Sequence, residues 1–142
     1  MQPTFWFFNT DESEAEGENA HELMIHLSRV AAWGDCHGVG AEQTLKPPTE
    51  GDRVFLYRAG HGIVASGLFT DAPPFASQDI FGQRGEFHRA IEDLCVPTEP
   101  LSAAEILSES GYFVPARHIL CRILDTKAVA FLATYFERVG QL

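Results

Sequence analysis

The sequence predicts an α+β domain. Three observations point there: an aromatic, strand-like run at the start, two β-branched and aromatic runs joined by a glycine-rich turn in the middle, and an apolar pattern of helical period near the end. At 142 residues, 45% of them hydrophobic, the chain is long enough for one domain with a core of its own and short for two. Residues 1–142 are therefore read as a single domain.

Phe5-Trp6-Phe7-Phe8 reads as a first strand buried on both faces. Residues 11–18, which carry Asp11, Glu12, Glu14, Glu16 and Glu18, read as a solvated loop. Asn19 followed three residues later by Glu22 resembles a capping box. It opens a predicted helix through about residue 32, with Leu23, Ile25, Leu27, Val30 and Ala31 as its apolar residues. Gly34, Gly38 and Gly40 make the next loop permissive, and Pro47-Pro48 ends it. Gly51-Asp52 turns the chain into a strand over 53–57, and Ala59-Gly60-His61-Gly62 reverses it into a second strand over 63–69, a β-hairpin. Gly67 inside the second strand predicts a bulge or a close approach to the backbone.

Residues 71–85, with Pro73, Pro74, Gly82 and Gly85, read as an exposed, turn-rich loop. Residues 86–94 fit a strand, although their pattern also permits a helix. Ser102 with Glu105 forms a second capping box, starting a short helix that Gly111 stops. Residues 118–124 read as another strand. Asp125 or Thr126 then caps a last helix in which Ala128, Leu132, Tyr135, Phe136 and Val139 recur at helical spacing until Gly140. Four or five strands interrupted by three helices complete the predicted α+β architecture.

Charge limits the functions open to such a domain. The formal net charge is -10, and no run of Lys or Arg exists. Counterion release supplies much of the affinity of duplex-binding proteins, so this chain alone is expected to bind DNA weakly. No apolar run approaches the length of a membrane span, and no basic region precedes the first apolar residues. Three cysteines at unrelated spacings suit a reducing compartment rather than a disulfide framework. A cytoplasmic protein without a membrane partner is the expectation. Cys36-His37, His61 and His118-Ile119-Leu120-Cys121 lack the paired spacings of a zinc site, so neither a metal nor a cofactor is expected. There is no nucleophile elbow, P-loop or His-Glu-x-x-His helix, and the prediction is a protein that is not an enzyme.

The central hairpin is the most specific motif. Gly51-Asp52-Arg53-Val54-Phe55 followed by Gly62-Ile63-Val64-Ala65-Ser66-Gly67 resembles the hairpin of the EVE-like branch of the PUA-like superfamily. Phe8-Asn9 at the end of the first strand, Trp33-Gly34 in the loop before the hairpin, and the block opened by Pro100-Leu101-Ser102 are similar to small EVE-like domains fused to HNH-type restriction nucleases. Phe8 stands where those relatives often carry Trp. The resemblance implies a curved β-sheet or pseudo-barrel with flanking helices, and a reader of modified nucleobases.

The candidate ligand-binding residues are Trp33, Asn9, Phe8, Tyr57, Arg58, Ser66 and Arg117. Trp33, in a glycine-rich loop, fits a stacking wall for a flat base, and equally a core anchor. Asn9 can offer a donor and an acceptor to a base edge, or bond its own backbone in a turn. Arg58 suits a phosphate or base edge, against a plain surface role among twenty acidic residues. Ser66 leaves room beside the backbone. Arg117, with His118, stands where the family shows polar residues lining the pocket. In this picture the ligand stacks on Trp33 with Tyr57 opposite, while Asn9 or Arg117 and the backbone near Gly62 and Ser66 meet its polar edge. The partner is then a modified nucleic acid or nucleoside, bound weakly. The alternative is a protein-interaction or assembly subunit without a ligand, whose acidic surface suits a basic protein partner or a nuclease subunit. The sequence leaves the oligomeric state open.

Overall fold

The computed structural model describes residues 3–10, 20–36, 38–115 and 118–140. The expected acidic loop over 11–18, the capping residue Asn19, His37 and Arg117 lie outside the described residues. The first strand, β1 (Phe5–Asn9), is followed by helix α1 (Ala20–Leu27), strands β2 (Arg29–Ala32), β3 (Asp35–Cys36) and β4 (Val39–Gly40), and a short helix α2 (Ala41–Thr44). The central hairpin, β5 (Arg53–Arg58) and β6 (Gly62–Phe69), leads to β7 (Phe75–Ala76) and β8 (Phe87–Cys95). Helix α3 (Ala103–Ser110), strand β9 (Leu120–Arg122) and helix α4 (Thr126–Gly140) complete the chain. Seven strands form one mixed sheet in the order β2-β8-β6-β5-β1-β9, with β7 also on β8, and this sheet curls strongly into a half-barrel. The curved α+β class predicted from sequence is the one observed.

The aromatic run at the start explains why the sheet has a core on each face. Successive strand residues point to opposite sides. Phe7 and Phe8 are both 0% exposed, Phe7 in a cluster with Phe55, Ile106, Leu132 and Phe136, and Phe8 in a cluster with Met24, Leu56, Val64 and Phe69. Helices α3 and α4 cover the first cluster, while α1 and the 29–45 region close the second. At Phe7 and Phe8 both faces of β1 are closed to water, which is why a strand with no polar alternation is stable here. β1 runs parallel to β5 and antiparallel to β9, so it lies inside the sheet.

The hairpin forms as predicted, with Arg53 opposite Leu68 and Arg58 opposite Gly62. Its register shifts between Leu56 and Tyr57, and a second shift, between Ser66 and Leu68 against β8, falls at Gly67. A side chain at Gly67 would crowd Ile91 Cδ1 at 3.2 Å and the Glu92 carbonyl at 3.3 Å, so the bulge and the close approach expected there occur together. Gly62 has φ +125°, and a Cβ on it would collide with the Leu101 carbonyl, to which the Ile63 amide donates at 2.8 Å.

Asp52, predicted only as a turn residue, ties three segments together. Its buried carboxylate accepts the backbone N–H of Thr4 at 3.0 Å and of Thr49 at 2.9 Å, and the Trp6 indole N–H at 2.9 Å. Burial raises its pKa, but the bonds from Thr49, Trp6 and Thr4 prevail and hold it below the usual value. Arg89 makes a comparable tie inside β8: its guanidinium donates to the carbonyls of Leu45, Lys46 and Thr70 and stacks on Phe69.

Three expectations are corrected. The helix predicted through about residue 32 stops at Leu27; Ser28 takes φ 56°, and Arg29 to Ala32 form β2 against β8 instead. Val30, Ala31 and Ala32 are all buried, which suits a strand sandwiched in a sheet end better than one face of an amphipathic helix. The loop after Trp33 contains the β3–β4 ladder and α2. The segment over 71–85 is not simply exposed, because Ile80 and Phe81 reach the core at 6% and 3% exposure. Elsewhere the caps are as predicted: Ser102 Oγ accepts from Glu105 N, Gly111 takes the left-handed C-cap with φ 78°, and Asp125 Oδ1 accepts from Ala128 N.

Candidate functional site

Trp33 follows the last residue of β2, so it is held at a strand end rather than a helix end. Its ring is half-buried against the cluster that contains Phe8. The indole nitrogen is buried and finds no hydrogen-bond partner among the described residues. An unpaired buried donor costs about 1–3 kcal/mol, so a position of this kind invites an explanation. The Trp33 carbonyl receives a weak bond from Cys36 Sγ at 3.9 Å, which folds the loop back on itself. Gly34, at φ +72°, has open space where a side chain would stand.

Beside this loop, a cavity of about 240 Å³ is lined by Cys36, Val39, Gln43, Thr44 and Pro47 on one side and His118, Ile119 and Leu120 on the other. It joins the Trp33–Cys36 turn to the start of β9. Leu120 pairs with Phe8 across the sheet, and the Asn9 amide donates to the Ile119 carbonyl at 2.8 Å. The end of the first strand and the loop after Trp33 thus approach the same cavity, although Trp33 is not among its lining residues.

The other residues predicted for the site divide. Asn9 and Arg58 lie at the same end of the sheet, since Asn9 pairs with Tyr57 and Arg58 follows it. Both are half-buried and make further interactions within the protein. His118 is exposed at the mouth of the cavity. Phe8 is 0% exposed and gives no surface to a ligand, because both faces of β1 are covered. Ser66 is also 0% exposed, and its hydroxyl accepts from Arg53 Nη1 at 2.8 Å. The backbone at Gly62 is packed against Leu101, so the space expected there is filled. Tyr57 packs on Phe7 with ring centroids 5.0 Å apart, in the cluster on the opposite face of the sheet from the one that receives Trp33. A stack between Trp33 and Tyr57 is therefore not formed.

Sequence reasoning missed a buried polar group near the end of β2. Ala32, the residue before Trp33, pairs with Phe87, the residue after Glu86. Glu86, 2% exposed, accepts the backbone N–H groups of Ile80, Phe81 and Gln83 at 3.1, 3.0 and 3.3 Å. Its Oε2 meets Nε2 of the fully buried His88 at 2.5 Å. Arg29 Nη1 reaches His88 Nδ1 at 3.4 Å and Asp79 Oδ2 at 3.5 Å, and its guanidinium lies over Phe75. With the carboxylate on Nε2 and a guanidinium on Nδ1, the ring acts as donor on one side and acceptor on the other. The signal in the sequence was the Glu-x-His spacing at the start of the predicted 86–94 strand, where alternate residues share a face. Among the described residues, no cluster of His, Cys, Asp and Glu could hold a metal ion, and no helix is long and apolar enough to cross a membrane.

No family model matches the sequence, and no curated protein matches it either. Solved structures do resemble the fold. A hypothetical protein from Leishmania major superposes with a TM-score of 0.57 at 10% identity, covering 96% of each chain. Protein PSPTO5229 from Pseudomonas syringae superposes with a TM-score of 0.50 at 11% identity, covering 93% of this chain and 99% of that one. At such identities the likeness defines a shared fold. The class this chain falls in is thus a curved-sheet α+β domain whose structural relatives span the same length.

Proposed function

We propose that this chain is a non-enzymatic module of the EVE-like, PUA-like kind that holds a modified nucleobase, or a similar flat heterocycle, at the Trp33 loop. The observation that carries the reading is the Trp33 indole: half-buried, framed by a glycine with open space, and bearing a buried N–H without a partner among the described residues. A planar guest with an acceptor on its edge supplies what that donor lacks, and its face covers the rest of the ring. Asn9, Arg58 and His118 are the polar groups assigned to the rim. Stacking contributes about 1–3 kcal/mol per base, so the isolated module binds weakly. Pocket shape discriminates a methyl group by about 1–3 kcal/mol. Titrating modified and unmodified nucleosides against intrinsic tryptophan fluorescence, in the native chain and in Trp33→Phe, tests this. Saturable quenching that is lost or weakened in the variant supports it, and an unresponsive native chain counts against it.

A second reading has its own support. Phe113 and Leu124 are 77% and 73% exposed, more than a solvated surface requires, and the net charge of -10 suits a basic partner. On that reading the chain is an assembly subunit, and it gives no response to nucleosides.

A further inference from the structure

A cavity of about 420 Å³, which Trp33 does not line, lies between α1, β6 and the segment that follows β8. We infer that it is a second binding site, for a small organic cation with an apolar body. Its volume falls in the range of sites for small molecules. Ile25 of α1 and Val64 of β6, with Val96, Pro97 and Pro100 beyond β8, make most of its lining apolar. Helix α1 supplies all the polar groups: His21, Glu22 and His26. His21 and Ile25, and Glu22 and His26, are four residues apart, so one turn of helix brings each pair to the same side.

The charge of the guest follows from this lining. Among the described residues, no Lys or Arg borders the cavity, and the Glu22 carboxylate is its only side chain of fixed charge. The chain as a whole carries a net charge of -10, so an anion is repelled on approach and a cation attracted. Glu22 also makes another interaction within the protein, and a carboxylate accepts several hydrogen bonds at once. Glu22 is exposed at the rim whereas Val64 is buried, so the ammonium end faces solvent and the apolar body lies inward. Pro97 and Pro100 add apolar rings to the lining, suited to packing against an aromatic body.

Three indole probes of similar size separate the contributions: tryptamine, the neutral tryptophol and the anionic indole-3-acetate, each titrated into the 15N-labelled full chain. The expected result is saturable amide shifts at Ile25, Val64 and Val96, strongest for tryptamine and weakest for indole-3-acetate. Because Glu22 is solvent-facing, Glu22→Gln lowers tryptamine affinity by only about threefold and leaves tryptophol unchanged. Val96→Trp, at an exposed position, fills the cavity and removes both responses. Trp33→Phe leaves them intact, so this site stands or falls independently of the base-reading one. Equal affinity for all three probes, shifts that persist in Val96→Trp, or no shifts at these amides would overturn the assignment.

Discussion

The Trp6 indole donates its N–H to the Asp52 carboxylate at 2.9 Å, across 46 residues of chain. The bond fastens the first strand to the turn that opens the central hairpin. The same carboxylate takes the amides of Thr4 and Thr49, so a side chain whose pKa burial would raise is held below its usual value by its donors.

Stability therefore depends on pH through Asp52. Its pKa is depressed on folding, so the stabilisation is complete above the unfolded value near 4 and is lost as pH falls through the lower folded value. Thermal melts between pH 2 and 7 should show the native chain losing Tm below about pH 4, and Asp52→Asn losing less over that interval. Asp52→Ala, which strands three donors, is expected to cost about 3–5 kcal/mol at pH 7.

Trp33→Ala should abolish the nucleoside response while costing less than the roughly 3–5 kcal/mol of a core tryptophan truncation. The ring is half-buried, and its removal also removes an unpaired buried donor. A melt and a titration on the same preparation check both halves. A loss of stability as large as that of a core site would mean that Trp33 is an anchor.

Glu86 governs the segment before β8. Glu86→Ala leaves the amides of Ile80, Phe81 and Gln83 without their acceptor, and His88 Nε2 without its carboxylate. The expected cost is about 3–5 kcal/mol. Hydrogen exchange at those three amides should accelerate in Arg29→Met as well, and by less, because that change removes only the far side of the network.

Bare duplex DNA should bind only at low salt, or not at all, as expected for a net charge of -10. Gel-shift assays at physiological salt test this. Tight, sequence-independent retardation would require a basic face.

How much of this was legible in the sequence follows from what each signal encodes. The hairpin, the Ser102 and Asp125 caps, the Gly111 stop and the last helix are local: a few neighbouring residues specify each, and the structure shows all of them. The burial of Phe7 and Phe8 on opposite faces was legible too, because every position of that run is apolar. Errors arose where tertiary pairing decided the outcome. Val30-Ala31-Ala32 fits a helix by composition, and only the ladder to β8 makes it a strand. Ile80 and Phe81 sit between turn residues, and only the Glu86 carboxylate draws them inward. At the site, the parallel pairing of β1 with β5 puts Asn9 and Arg58 at one end of the sheet, but the faces of Trp33 and Tyr57 could not be compared without the curl of the sheet.

The placement of β1 governs the order in which the chain can be assembled. Its neighbours in the sheet are β5 on one side and β9 on the other, and β9 is made more than a hundred residues later. β1 thus leaves the ribosome long before its partner β9, and until then its run of four consecutive aromatic residues lacks one neighbour in the sheet. A chain so dependent on distant contacts folds slowly for its size, and a nascent or truncated product lacking the segment after residue 118 exposes an aggregation-prone edge.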